Sequence, residues 1–516
     1  MDTETISPAP TVPAAAAAAA AAAVSGPDEA VLARCLRAAG PGRCRVITPR
    51  HGDGMAGSGA FRDRGPYIAV SPGSVDEVRA LLRALAADAP RHGAVRVQPC
   101  STGLNWGFGA DRPADDGAVL LHLGGLDTVR DLDLDHGIAV VEPGVSQGAL
   151  ARRLENSPYL LNVTASSSRT SVVGNALDRG VGLHRQRTED ILGLEVVLAD
   201  GTIAHVGRWP RPHLAPAPYP HPVGPGLADL FVQSGLGVVT AAAVRLLPRP
   251  QTHRVVRLAF AAGDLPAAVE ALAGIQADRL CDGVVKVFSA QAATAYGGTA
   301  QAGYLAYVHV GGAARLVDCA VEVLTERAAA AGVFGRPRVF GPHEHGTTVA
   351  EHATLRAYAG DPSANDAMVH DIFRVPADRT ELQGSAGWLF FTPVLPLDGA
   401  SAGRAAGLLA GAVARHGAGM TAGHTLNLMP GGWVDLVVSL RFERDRATSR
   451  RAQALLDTLH DAFAGAGFTP YRLDIDHAGT AAALRGEPGA EDLLARLESL
   501  LDPHHQISRG RYAAHR

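Results

Sequence analysis

The stretch Pro99-Cys100-Ser101-Thr102-Gly103-Leu104-Asn105-Trp106-Gly107-Phe108-Gly109 decides how this chain reads. Its closely spaced glycines clear side chains from one side of a loop. Backbone N–H groups can then approach an anion, and Ser101, Thr102 and Asn105 add polar contacts. The apolar run Ala94-Val95-Arg96-Val97 just before it reads as a strand. A strand entering a glycine-rich, hydroxyl-bearing loop is the general build of a phosphate cradle. The stretch matches neither the G-x-G-x-x-G dinucleotide fingerprint nor the lysine-bearing P-loop. For these residues alone, a tight surface turn is the competing reading.

Outward from the loop the pattern is β-α-β. Upstream, Tyr67-Ile68-Ala69-Val70 reads as a strand. Ser74-Val75-Asp76-Glu77 reads as a capping box opening a helix with Val75, Val78, Leu81, Leu82 and Leu85 on one side. A further short helix is expected from Val31. The loop thus falls at a strand's carboxyl end, where open α/β sheets hold ligands. Downstream, Val119 to Leu123 and Ile138 to Val141 read as strands, and the second runs into the turn Glu142-Pro143-Gly144. Ser146 caps a helix. Ser166 to Asn175 is a second loop of small polar residues. Leu194 to Leu198 and Ile203 to Val206 flank Asp200-Gly201, a hairpin signal. Trp209 to Pro225 is a proline-rich surface loop. After Pro248-Arg249-Pro250 the texture changes. Strands at Val255–Phe260 and Tyr304–Val310 alternate with helices at Leu265–Ile275 and Leu316–Ala331, which predicts an α+β domain over residues 251–468.

At 516 residues, 47% of them hydrophobic, the chain calls for two or more domains. A net charge of -4 with no long basic run argues against nucleic acid as a partner. The basic residues are nearly all arginine; Lys286 is the single lysine. Residues 1–28, with an alanine run from Ala14 to Ala23, read as a disordered terminus that is neither a secretory signal nor a membrane span. Five scattered cysteines without a C-x-x-C pair support no disulfide framework and no zinc site, so a reduced, cytoplasmic setting is expected. No metal is expected. His343-Glu344-His345 lacks a third ligand and reads as a solvated loop, while His122, His184 and His370 read as isolated histidines. His424 and Asn427 are candidates to point into a pocket.

The opening loop resembles the pyrophosphate-binding loop of the vanillyl-alcohol oxidase / para-cresol methylhydroxylase flavoprotein family. Four further stretches match that family in order: VVEPGV (140–145), SVVGNALDRGVG (171–182), LEVVLADGTI (194–203) and LFVQSGLGVVT (230–240). The tail DPHHQISRGRY (502–512) resembles its closing motif. The resemblance implies an α+β, two-domain flavoprotein. Its PCMH-type FAD-binding domain would span residues 29–250, its α+β cap or substrate domain 251–468, and residues 469–516 would return to the first domain. It implies FAD held by Pro99, Cys100, Ser101, Thr102, Gly103, Leu104, Asn105 and Gly107 in the first loop. Glu142, Pro143 and Gly144 would follow, then Gly174 and Asn175, then Arg179 (as a buried structural donor) and Gly180. Glu195, Gly237, Val238, Val239 and Arg511 complete the set.

In the cap, GWLFFTP (387–393) resembles the segment whose first position often bonds flavin covalently. Here that position is Trp388, and the other common attachment point falls near Leu104, so non-covalent FAD is expected, with Cys100 or a nearby histidine as the alternatives. PYRLD (470–474) resembles the family's Tyr-Arg pair, in which Tyr471 and Arg472 would hold a substrate phenol oxygen as phenolate. The catalytic candidates are therefore Tyr471, Arg472, Phe108 and Trp388. Phe108 stands where phenol-oxidising members usually have tyrosine. The family's acidic residue near the flavin falls close to Thr188, with Glu189 and Asp190 adjacent. The expected activity is that of an FAD-dependent oxidoreductase taking hydride from a phenolic or other aromatic small molecule. The alternatives are an oxidase of a non-aromatic alcohol, an oxidative cyclase, or a non-redox binding protein on the same fold. Dioxygen or another electron acceptor, a cytochrome included, is left open, as is a homodimer; no membrane partner is expected.

Overall fold

The computed structural model describes residues 27–47, 55–56, 58–62, 64, 67–115, 117–295, 303–374, 385–507 and 511–512. The alanine run lies outside them. The first helix, Pro27–Ala39, begins two residues inside the stretch expected to be disordered. Its proline at the start costs nothing, because the first N–H groups of a helix have no internal partner.

A four-stranded sheet comes first in the chain: Cys44–Ile47, Tyr67–Val70, Val119–His122 and Val97–Cys100, in that spatial order. The last three are parallel and the first is antiparallel to its neighbour. The helix Val75–His92 crosses over between Tyr67–Val70 and Val97–Cys100 and buries Val78, Leu81, Leu82 and Leu85. Ser74 Oγ accepts from the Glu77 N–H at 3.2 Å. The Glu77 carboxylate accepts from Gly73 rather than returning to Ser74, so the box is open on one side.

The strand before the opening loop starts three residues later than its composition suggests, and includes Pro99 and Cys100. Pro99 fits inside this strand because the strand is the edge of its sheet, where a missing N–H is tolerated. The chain's tail reinforces that edge. Ile507 bridges Val97 in parallel, and the Gln506 side chain donates to the Leu82 carbonyl.

A five-stranded antiparallel sheet follows: Ile203–Gly207, Ile191–Val197, Val238–Arg245, Ile138–Val141 and Val129–Asp133. Both strands Ile138–Val141 and Ile191–Val197 are buried along their whole length; Ile138–Val141 is apolar throughout, while Ile191–Val197 carries the charged Glu195. The third sheet, named the cap sheet below, is built from strands between residues 252 and 443. Its central run is Thr252–Ala261, Gly303–Gly312, Val285–Phe288, Met420–Met429, Trp433–Glu443 and Ala386–Phe391, every pair antiparallel. Helices Leu265–Ala277, Ala314–Ala331, Gly399–His416 and Arg446–Gly465 pack their apolar faces, Leu272, Leu324, Leu409 and Leu456 among them, on one side of that sheet. The other side faces the first two sheets, and a deep cavity lies between. No helix among the described residues is long and apolar enough to cross a membrane.

Candidate active site

The cavity has a volume of about 370 Å³. One wall is loop backbone. Residues Pro99 to Asn105 meet Thr170 to Asn175 across it. The loops are tied together where the Ser171 N–H donates to Thr102 Oγ1 at 3.2 Å and Ser171 Oγ donates to the Pro143 carbonyl at 2.6 Å. Ser171 also caps the short helix Val172–Leu177, accepting from the Gly174 N–H. A Cβ on Gly174 would stand 2.1 Å from Ser101 Oγ, so glycine lets the loops close on one another. Gly237 and Val239, at the start of the strand Val238–Arg245, continue this wall.

Gly107, Glu142, Gly144, Gly180, Glu195 and Val238 do not line the cavity among the described residues. Two of them frame it instead. Gly144 accommodates the Gly124 carbonyl, which a Cβ would meet at 2.3 Å, and Gly107 makes room for the Phe390 ring. Glu142 and Glu195 are ion-paired through Arg130, at 2.8 and 2.9 Å. Arg179, expected to be a buried donor, is exposed. Its φ of 53° turns the chain outward directly after the helix ends, which carries the guanidinium to solvent.

Asp178, in the same motif, holds the position of consequence. Its carboxylate accepts from Arg511 Nη2 at 2.7 Å, Tyr512 Oη at 2.8 Å and Asn105 Nδ2 at 2.9 Å, and its carbonyl accepts from Arg472 Nε. Burial pushes this carboxyl up, but Arg511 and Arg472 beside it hold it below its ordinary value. The opening loop, the second loop and the tail therefore meet at one anion. Sequence reading passed over Asp178 because it is an ordinary residue at the end of a short helix.

The opposite wall comes from the cap sheet and the Tyr-Arg pair. Lys286 is opposite Asn427, and Asn427 is opposite Asp435, in neighbouring strands. Lys286 Nζ donates to Asn427 Oδ1 at 3.1 Å, and Asn427 Nδ2 donates to Asp435 Oδ2 at 2.9 Å. Burial pulls Lys286 down to about 8 against the attraction of Asp435, and pushes Asp435 up to about 6 against Asn427, Lys286 and Arg472. The Tyr471 hydroxyl also acts on that carboxylate, yet Asp435 Oδ1 has no hydrogen-bond partner, so their contact is not a closed bond. Arg472 Nη2 is likewise buried and unpartnered. Its guanidinium sits 5.7 Å from the Phe108 ring centre, and Arg511 sits 5.8 Å from it. Phe108 thus packs against two cations where a hydroxyl is absent.

Aromatic rings close the space. Trp388 stacks near Trp106 at 6.5 Å and Phe390 near Phe108 at 5.7 Å, while Trp388 and Phe390 touch at 4.4 Å. The Trp388 indole N–H donates to Ser439 Oγ at 2.7 Å.

The remaining expectations separate. Asn427 lines the cavity; His424 is held by Tyr304 Oη at 2.9 Å and does not. Thr188 donates to the Ala176 carbonyl, Glu189 accepts from the Gln186 N–H, and Asp190 pairs with Arg185; none of the three lines the cavity. His343 and His345 stand on an exposed turn. His184 is not isolated as its sequence suggests, since its ring lies 5.2 Å from that of His309. Lys286, Asp435 and Asp178 are the site residues that sequence reading missed. Only Lys286 carried a signal, as the sole lysine of the chain.

The fit to a flavin rests on this geometry. Two N–H-bearing loops converge with only small side chains between them, Thr102 and Ser101 among them, and Gly174 gives the room for that approach.

Comparison with known proteins agrees. Residues 66–207 match the family described as FAD binding domain. The chain is 28% identical over 506 residues to 1'-carboxy-chondrochloren decarboxylase of Chondromyces crocatus, covering 86% of this chain and 90% of that one. It is 23% identical over 479 residues to the 4-cresol dehydrogenase (hydroxylating) flavoprotein subunit of Pseudomonas putida, covering 86% and 87%. The structure of 4-ethylphenol oxidase from Gulosibacter chungangensis in complex with isoeugenol superposes with a TM-score of 0.81 at 21% identity, over 95% of this chain and 98% of that one. Loops, cavity and comparisons together support a chain with an FAD-binding domain and a fold like that of the PCMH-type flavoprotein oxidoreductases.

Proposed function

We propose that the chain withdraws hydride from a carbon of a phenolic or other aromatic small molecule, with the ring oxygen held at Tyr471 and Arg472. The observation that carries this reading is the pair of unpartnered groups on one wall, Arg472 Nη2 as donor and Asp435 Oδ1 as acceptor, inside an aromatic enclosure. A substrate phenol satisfies both. Asp435, ionised above about 6, takes the phenol proton. Arg472, always charged, stabilises the phenolate that results, and the Tyr471 hydroxyl adds a second donor. Trp388, Phe390 and Phe108 flank the substrate ring and exclude water. Electron density released into the ring by the phenolate weakens the benzylic C–H bond. Pro99–Asn105 and Gly174–Asn175 would hold FAD, which would supply the two-electron acceptor.

The same lining supports non-covalent attachment of FAD. Among the described residues that line the cavity there is no histidine and one cysteine. That cysteine, Cys100, is pushed up to about 12 by burial and donates to the Ala110 carbonyl, so it stays a thiol. Acid precipitation should release the yellow colour into the supernatant; a yellow pellet would refute it. Anaerobic mixing with para-ethylphenol should bleach the flavin absorbance. Failure to bleach with every para-alkylphenol offered, in a protein that is yellow, would overturn the phenolic reading.

Lys286 favours a second reading, in which the substrate also carries a carboxylate. The relative at 28% identity is named a decarboxylase. A carboxylate seated at Lys286 would place the acid next to the carbon that loses hydride. Loss of CO2 then leaves the bonding pair to form a C=C bond. The test is 3-(4-hydroxyphenyl)propanoate. Release of CO2 with formation of 4-vinylphenol supports this reading, and para-ethylphenol as the much better substrate counts against it.

A further inference from the structure

Away from the cavity, at the seam between the FAD domain and the cap, four titratable side chains from distant parts of the sequence converge. His184 comes from the loop after the Arg-Gly-x-Gly motif. Asp282 comes from the turn before Val285–Phe288, and His309 from the strand Gly303–Gly312. One donor atom from each of these three lies within 4.8 Å of the other two. His253 is the fourth. It is opposite Gly311, which puts it on the same face of the cap sheet as His309, and their rings are 5.3 Å apart.

We propose that His184, Asp282 and His309 form a binding site for a divalent transition-metal cation of the Zn2+ type, which fastens the FAD domain to the cap. The hydrogen bonds around the cluster are those that orient metal ligands. The His184 Nε2–H donates to the Tyr358 carbonyl at 3.1 Å, which fixes its tautomer and leaves Nδ1 with a free lone pair. A Cβ on Gly283 would stand 3.3 Å from that Nδ1, which places Nδ1 beside the turn that carries Asp282. His309 Nδ1 is already 2.8 Å from Asp282 Oδ1. The Tyr358 ring stacks on His309 at 5.0 Å and 8°, and Tyr358 is itself anchored by donating to the Val284 carbonyl at 2.6 Å.

Two further nitrogens lack partners although buried: His309 Nε2 and His253 Nδ1. An isolated histidine pair would not leave both vacant. Coordination through His309 Nδ1 moves its proton to Nε2, on a ring whose centre lies 5.3 Å from that of His253. Two imidazoles and a carboxylate suit Zn2+, Co2+ or Fe2+ rather than Ca2+ or Mg2+. The Asp282 side chain is 48% exposed, which gives the ion an entry path and water for a remaining position.

The other His–Asp–His cluster, His460–Asp474–His477, lacks these features. His477 is bonded at both nitrogens, to Asp474 at 2.8 Å and to Asp457 at 3.3 Å, and its ring lies flat on that of His460 at 3.8 Å. Its donors are used up within the protein, so it serves as the control.

The experiment uses the full-length protein as purified, stripped with a chelator and then dialysed against Zn2+. Metal analysis should find one zinc per chain, and zinc should raise the melting temperature. His184→Gln and Asp282→Asn should each lose that zinc and the thermal shift, while His477→Gln keeps both. Co2+ substitution should give visible bands of an N/O-ligated ion in wild type and not in His184→Gln. Each His184→Gln measurement is paired with circular dichroism, so that a variant retaining the native spectrum and the zinc overturns the proposal. Wild type without stoichiometric metal overturns it, as does zinc lost only in His477→Gln.

Discussion

The two walls of the cavity are made of different material. The FAD-domain wall is backbone and small side chains, set by motifs that are local in sequence: Pro99 to Gly109 and Ser166 to Asn175. The cap wall is a row of long side chains on three adjacent strands, with Lys286 and Asn427 paired at 141 residues' separation. The first wall can be read from short stretches because its glycines and hydroxyls are required by the loop conformation itself. The second wall exists only after the sheet has formed. The cofactor side of such a site is thus written locally, and the substrate side is written in register.

This contrast can be broken hardest at Arg472, which bridges the walls by donating to the Asp178 carbonyl while turning Nη2 to the cavity. Arg472→Ala should slow flavin reduction by a para-alkylphenol by roughly 10²–10³-fold, the effect of removing one oxyanion donor. Stopped-flow reduction under anaerobic conditions measures it. A wild-type rate would mean the phenolate is held elsewhere.

Next in size is a change to the backbone wall. Gly144→Ala puts a Cβ 2.3 Å from the Gly124 carbonyl and 2.7 Å from the Leu126 carbonyl, neither of which can swing away. Overpacking of this kind costs about 1–3 kcal/mol. The turn supports Pro143, which lines the cavity, so flavin retention should fall by roughly tenfold or more, since 1.4 kcal/mol is tenfold. Fluorescence titration of the apoprotein with FAD reads this directly. Unaltered FAD affinity would separate this turn from the cofactor site.

How far sequence reading reached follows the same line. The β-α-β order, the hairpin at Asp200-Gly201 and the change of texture after Pro250 were visible because each depends on residues close together. The strand expected over Ala94–Val97 lies at Val97–Cys100 because an edge strand tolerates Pro99, and sheet position is not written in a short apolar run. Arg179 misled because its burial was inferred from a motif, whereas its φ of 53° turns it outward. Asp178, Asp435 and the His184–His309 contact had no local signature at all. Lys286 had one, its uniqueness, but uniqueness names no location until the strand register puts it opposite Asn427.

Lys286 sharpens the contrast through stability as well. A lysine whose pKa falls from 10.5 to about 8 on folding costs the native state stability as pH drops through that window, and the whole cost is present below about 8. A shift of that size corresponds to roughly 3 kcal/mol at neutral pH. Lys286→Met should therefore leave the melting temperature at pH 7 unchanged or higher, with the lost bond to Asn427 offsetting part of the gain. In the same variant, the KM for a carboxylate-bearing substrate should rise by tens of fold, and that for an uncharged alkylphenol should move little. A large drop in melting temperature would show that the lysine is structural.

The smallest effect is the most discriminating, because it asks whether Asp435 acts on the substrate proton or only supports Asn427. Asp435 is raised to about 6 and Lys286 is lowered to about 8. As pH falls through 6 the carboxylate gains a proton and can no longer accept one, so kcat/KM should decline on the acid side. As pH rises past 8 Lys286 loses its charge, and with a carboxylate-bearing substrate kcat/KM should decline there too, giving a bell. Asp435→Asn keeps the acceptor oxygen and the size but cannot take a proton. It should abolish the limb near 6 and leave the limb near 8 in place, displaced downward because the carboxylate no longer holds the lysine charged. If the acid limb survives in Asp435→Asn, the proton leaves by another route. The cap wall would then be a binding surface alone, and the chemical asymmetry between the two walls would disappear.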